Sequence, residues 1–257
     1  MAPQLLMSIL SVLTRARSRS HLTTARTCIC NKSATCSQST MGTVLSSSMA
    51  KTVKFTFCLL HRNSNVSAGD CIYGTLQMSN LTYAYKAGHQ IANHGWSHMD
   101  LTTCANASQC SSSLFRQETP HDSALGNIIG AKPSYLRPPY GSYNSTVQQM
   151  AAAHGMDMVL WDLDSGDSTG SSVNQSEAIY DNALNGGTDG TLLALNHETS
   201  LSTVQQVMPY VLPQWIAQGW TFVTVAQCFN NSAINPNVKP AYSSITTPGT
   251  RNFTWHC

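Results

Sequence analysis

The sequence predicts an α/β protein built on a mostly parallel sheet covered by helices. Short apolar runs alternate with amphipathic stretches from about Val53 onward. Glycines stand where the helical stretches stop. The strand candidates are apolar enough to be buried on both faces, as parallel strands between helix layers must be.

Taken in order, VKFTF at 53–57 alternates apolar and polar residues like a half-buried strand. LTYAYKAG at 81–88 reads as the end of a helix stopped by Gly88, and HQIAN is the short strand after it. PSYL at 133–136 is strand-like. Ser145 is placed to cap a helix through STVQQMAAAH that Gly155 ends, and MDMVLWDLD is the strand beyond. TLLALN at 191–196 is a buried strand candidate. Val204, Val207, Met208, Val211, Leu212, Trp215 and Ile216 fall on one helical face, which Pro209 and Pro213 must distort. WTFVTV is expected to be the next strand, and 231–257 an irregular tail.

Charge divides the chain. Residues 1–69 contain no Asp or Glu, yet carry eight of the fourteen Lys and Arg. Beyond them, the other six basic residues face all twelve acidic ones, a mildly acidic balance of −6. With a net charge of only +2, no nucleic-acid partner is expected. Nine cysteines point to an oxidising compartment, and Cys228 with Cys257 is the favoured pairing. Asn-x-Ser/Thr acceptors at Asn31, Asn65, Asn80, Asn106, Asn144, Asn174, Asn230 and Asn252 agree with secretion. The apolar run Leu5–Leu13 has no basic residue before it, and the Arg/Ser-rich stretch that follows looks superficially like an organelle transit sequence. No run approaches the ~20 apolar residues of a membrane span.

Four clusters carry chemistry, each at the end of a strand candidate, where ligands collect in such folds. His94-Gly-Trp-Ser-His98 spaces two imidazoles so that a helical turn would converge them on one metal. Arg137-Pro138-Pro139-Tyr140-Gly141 is a stiff turn able to aim a guanidinium and a backbone N–H. Asp162, Asp164 and Asp167 could bind a cation or orient a histidine. His197, after LLALN, could be a general acid. Each cluster alone also reads as ordinary structure: unrelated histidines, a rigid surface loop, a solvated acidic loop, a core histidine.

In this order the clusters resemble the second to fifth motifs of the polysaccharide deacetylase (NodB-homology, carbohydrate esterase family 4) proteins: H-[ST]-x-x-H, R-x-P-Y, D-x-x-D and L-x-H. GHQIANHGWSHMDL, NIIGAKPSYLRPPYGSYN, MVLWDLDSGD and GWTFVTVAQC are similar to segments of fungal chitin deacetylases. The resemblance implies a distorted, incomplete (β/α) barrel and hydrolysis of N-acetyl groups from N-acetylglucosamine polymers such as chitin. It implies Zn²⁺, or another divalent ion such as Co²⁺, on His94 and His98. Arg137 would position the catalytic base, and the Tyr140 N–H would hold the oxyanion. His197 would protonate the leaving amine, oriented by Asp164 or Asp167. Tyr140, Trp161 and Leu195 would line the substrate pocket. The implied protein is a secreted or cell-wall-associated monomer.

The family's first motif, T-F-D-D-G-P, has no counterpart here, so its base and its anionic metal ligand are missing and the barrel would lack its first strand. Metal affinity and turnover are therefore expected to be impaired, with a non-catalytic carbohydrate-binding protein as the alternative. Gly95 stands where Ser or Thr is usual, Met99 where Pro is usual, and Ser168 where an aromatic is usual. The expected organisation is 1–50 outside the family pattern, 51–230 a truncated deacetylase domain, and 231–257 the tail. Residues 14–48, rich in Arg, Ser and Cys, read like translated non-coding sequence in a chain that starts downstream of the first motif.

Overall fold

The computed structural model describes residues 12–15, 56–58, 71–96, 98–115, 124–186, 190–220, 222–229 and 238–251. They fall into two compact units, one comprising Met1–Phe55 and Trp161–Pro236, the other Thr56–Leu160 and Asn237–Cys257. In chain order, β1 (Val12–Arg15) belongs to the first unit. The second continues through β2 (Thr56–Cys58), α1 (Thr75–Lys86), β3 (Gln90–Ala92), α2 (Ala107–Phe115) and α3 (Ala124–Ile129). It then adds β4 (Ala131–Pro133), β5 (Tyr135–Leu136), α4 (Ser145–Ala153) and β6 (Asp157–Met158). The first unit resumes with β7 (Leu163–Asp164), α5 (Val173–Asn185), β8 (Gly190–Leu195), α6 (Met208–Ala217) and α7 (Val225–Phe229). The last strand, β9 (Tyr242–Ile245), returns to the second unit.

In the second unit the parallel ladder predicted from the apolar strands is present. β2 pairs parallel with β3, β5 with β6, and an Asn93–Leu136 bridge links the two pairs. All of β3 is buried. Gly88, with φ 88°, turns the chain out of α1 into it. One core cluster gathers Leu101, Leu136, Val147, Met150 and Met156. A Cys104–Cys110 disulfide adjoins it, and Ser111 Oγ, 2.9 Å from His154 Nε2, ties α2 to the end of α4.

In the first unit β7 pairs parallel with β8, and β1 pairs antiparallel with the other edge of β8. Tyr180 of α5 meets Trp215 of α6 edge-on at 6.4 Å, and both are fully buried.

Several local expectations differ from what is observed. Asn144, not Ser145, caps α4, its Oδ1 accepting the Val147 N–H at 3.0 Å; Asn144 is the extended residue and Ser145 already helical. MDMVLWDLD is not one strand but two short pieces, β6 and β7, with the unit boundary between Leu160 and Trp161. WTFVTV forms no strand among its described residues. Thr224 and Gln227 exchange hydrogen bonds, Oγ1 from the Gln227 N–H and Oε1 from the Thr224 N–H, and this capping box starts α7 at Val225. The face from Val204 to Ile216 is helical but opens with a π-helical turn at Thr203–Val207. That wide turn sits just ahead of Pro209, which has no N–H to give to a tighter one.

The segment expected to be an irregular tail contributes β9, antiparallel to β4. Tyr135 Oη donates to the Lys239 carbonyl at 2.7 Å, and Lys239 pairs with Asp157 at 2.7 Å. Cys257 lies outside the described residues, as do parts of VKFTF and of the N-terminal segment.

Candidate active site

The sequence-predicted residues gather in two clusters, one in each unit. In the second unit, Asn93 ends the run of β3 and its Oδ1 accepts the Gly95 N–H at 2.9 Å, folding the chain back. Gly95 has φ 86°, a left-handed conformation that explains glycine at this position. His94 and His98 lie with ring centroids 4.9 Å apart. His94 Nδ1 is 2.7 Å from the Arg137 carbonyl oxygen. A carbonyl can only accept, so Nδ1 carries the proton and the lone pair is on Nε2.

Among the described residues His98 (φ 51°) and Tyr140 (φ 60°) are the two non-glycine residues with positive φ, and their rings meet edge-on at 4.7 Å. Such conformations cost ~1–3 kcal/mol each and persist where surrounding structure enforces them. Here the Pro138-Pro139 turn does so for Tyr140, closed by Gly141 N–H to Pro138 O at 3.1 Å. The Tyr140 side chain is 66% exposed, whereas Arg137 is buried and its Nη2 donates to the Leu160 carbonyl at 3.1 Å.

In the first unit, Asp167 follows β7 and His197 follows β8. Asp167 Oδ1 is 2.7 Å from His197 Nδ1, and Oδ2 accepts the His197 backbone N–H at 2.7 Å. The Thr203 hydroxyl donates to the same Oδ2 at 2.8 Å. Both carboxylate oxygens are therefore committed, and Nδ1–H is held by the acid, leaving Nε2 as the ring nitrogen that Asp167 does not hold. Burial pushes the Asp167 carboxyl up. Hydrogen bonds from the His197 ring and backbone and from Thr203 outweigh it, holding the group below the ordinary carboxylate value. His197 is raised above the ordinary imidazole value, first by its hydrogen bond to Asp167, against desolvation, with help from the charge on Asp167.

Asp164 and Asp167 were both candidates to orient His197, and the hydrogen bonds come from Asp167. Asp164 Oδ1 instead accepts the Gly166 N–H at 2.8 Å, shaping the loop that delivers Asp167. Asp162 Oδ2 accepts the Leu193 N–H at 3.1 Å, and burial raises its carboxyl. Leu195 is buried at the end of β8 opposite Asp164, and Trp161 is half-buried. Thr203 and the Arg137 carbonyl are functional partners that sequence reasoning missed: one is a threonine in a Ser/Thr-rich loop, the other a backbone atom without a signature.

The donor chemistry tests a metal directly. His94 and His98 offer two imidazoles, their ring centroids 4.9 Å apart. Among the described residues, no group of three or more His, Cys, Asp or Glu comes together. Catalytic zinc typically takes three protein ligands and an open position. The described residues do not complete that set.

A family model described as polysaccharide deacetylase matches residues 35–159. Its first matched residue lies inside the segment expected to fall outside the family pattern. Among curated relatives, chitin deacetylase 3 of Cryptococcus neoformans is 34% identical over 155 residues, 57% of this chain and 36% of that protein. The chitin deacetylase of Amylomyces rouxii is 31% identical over 153 residues, 56% of this chain and 35% of that protein. The chain thus spans about a third of the length of these relatives. The fold is shared with the chitin deacetylase of Colletotrichum lindemuthianum, at a TM-score of 0.60 and 22% identity over 75% of this chain and 82% of that one. Among the described residues, no helix is long and apolar enough to cross a membrane.

Proposed function

We propose that this chain, similar to polysaccharide deacetylases over residues 35–159, hydrolyses N-acetyl groups from N-acetylglucosamine polymers of the chitin type, at a rate impaired by the donor set that its described residues leave incomplete. The observation that carries this reading is the Asp167–His197 pair. Water adds its oxygen to the acetamide carbon, the C–N bond breaks, and the departing nitrogen must receive a proton. An imidazolium held through Nδ1 and raised in proton affinity keeps a proton on Nε2 to give. Acetate and a free amine result.

The other residues fit subordinate roles. The strained Tyr140 turn can present its backbone N–H to the oxyanion, and Leu195 with Trp161 can wall an acetyl pocket. Arg137, buried and held through Nη2 by the Leu160 carbonyl, is suited to positioning the base. Among the described residues a divalent ion such as Zn²⁺ or Co²⁺ would find the two imidazoles and no third His, Cys, Asp or Glu grouped with them, a set that binds weakly. Loss of a general base costs ~10²–10⁴-fold in rate. The test is acetate release from N-acetylchitooligosaccharides with added divalent metal. Slow release that His197→Ala eliminates is expected; rates in the range of complete family members, abolished by His98→Ala, would refute the impairment.

The two-histidine donor set of the described residues also favours a second reading, a non-catalytic chitin-binding protein. Chitin binding with no acetate release under any metal would select it. A secreted or cell-wall-associated monomer, with a deacetylase domain at 51–230 flanked by 1–50 and 231–257, completes the proposal. Limited proteolysis of the secreted chain tests those boundaries.

A further inference from the structure

Within the second unit, α1, α3 and the segment after β9 enclose an open groove of about 500 Å³. Its floor includes Ile128, which is buried, and its rim carries Tyr83, 68% exposed on α1. Ser79 and Thr82 bring hydroxyls to the same helix face. Among the described residues two cations line it, Lys86 in the last turn of α1 and Arg251, both exposed, and no carboxylate does. Among the described residues the ion pairs are His197–Asp167 and Lys239–Asp157, so neither groove cation is neutralised there.

We propose that this groove binds an acidic polysaccharide, one bearing carboxylate or sulfate groups, separately from the N-acetyl hydrolysis site. An Arg fork and a Lys lining one groove match a carboxylate or sulfate. An exposed tyrosine ring flanked by hydroxyls suits the apolar face and rim hydroxyls of a pyranose. An anionic membrane surface would call for a cluster of ~4–8 basic residues, more than the two here. The same charges leave a neutral N-acetylglucosamine polymer without an ionic partner and repel its deacetylated, cationic product.

The experiment is calorimetric titration of the full chain with oligogalacturonate, N-acetylchitohexaose and polyglutamate in turn. Oligogalacturonate should bind with an affinity that falls as salt rises, and N-acetylchitohexaose should not displace it. The Lys86→Glu/Arg251→Glu variant should weaken binding by about tenfold or more, and Tyr83→Ala should weaken it without changing the salt dependence. All three side chains are exposed, so unchanged circular dichroism and melting are expected of both variants. Undiminished binding by the charge variant overturns the proposal. So does displacement by N-acetylchitohexaose, or equal affinity for polyglutamate, which would make the groove an acidic-peptide site.

Discussion

Thr203 donates to a carboxylate oxygen of Asp167 that also takes the His197 backbone N–H. Thr203→Val removes one donor from the charged form of Asp167 and so weakens the anion beside His197. The His197 pKa should fall toward 6.5, and Asp167→Asn should lower it further, both read by NMR titration of the imidazole. The same shifts set a pH window for stability. The Asp167 value is depressed, so its contribution is present above 3.8 and is lost as pH falls through the folded value. The His197 value is raised, so its contribution is present below 6.5 and is lost as pH rises through the folded value. Thermal melts should therefore show the largest deficit of Asp167→Asn between those limits, shrinking on either side. A deficit flat with pH would mean that the pair contributes only as packing. The sequence reading located His197 and a two-member choice for its partner. Choosing Asp167 over Asp164 required the loop geometry, because either spacing from β7 is sterically reasonable.

Caps decide where elements begin, and here they were only partly legible. Ser145 and Asn144 stand side by side as candidate caps for α4, and only backbone conformation separates them. Asn144→Ala should cost ~1 kcal/mol, seen in denaturant melts, and Ser145→Ala much less. The Thr224–Gln227 box was hidden inside an apolar alternation that reads as a strand, so local capping overrode period. Gly130 is the sharper case. It has φ +70°, and a Cβ there would strike the Thr246 backbone carbonyl in the chain just after β9. Gly130→Ala should therefore destabilise by more than ~2 kcal/mol, because neither side of the contact is a flexible side chain. Hydrogen exchange should show β9 losing protection first. Uniform loss across the second unit would mean that β4 and β9 do not separate from the rest.

At the scale of the whole chain, the sequence read clearly where strands and helices repeat, and poorly where segments distant in sequence meet. No local pattern announces that residues 242–245 pair with 131–133, since the pairing depends on the length and path of everything between. Removing 238–257 should uncover the β4 edge and promote self-association, measurable by light scattering. A shortened chain that scatters and melts like the full one would show that the edge is covered without β9. The antiparallel β4–β9 contact has a further consequence for the newborn chain. Synthesis runs from one end to the other, so more than a hundred residues must be made after β4 before its partner exists. Until then the second unit is held open with a bare edge, while the first can collapse around Trp215. A nascent chain stalled before residue 238 should remain a substrate for holding chaperones, and release should coincide with the emergence of residues 238–251.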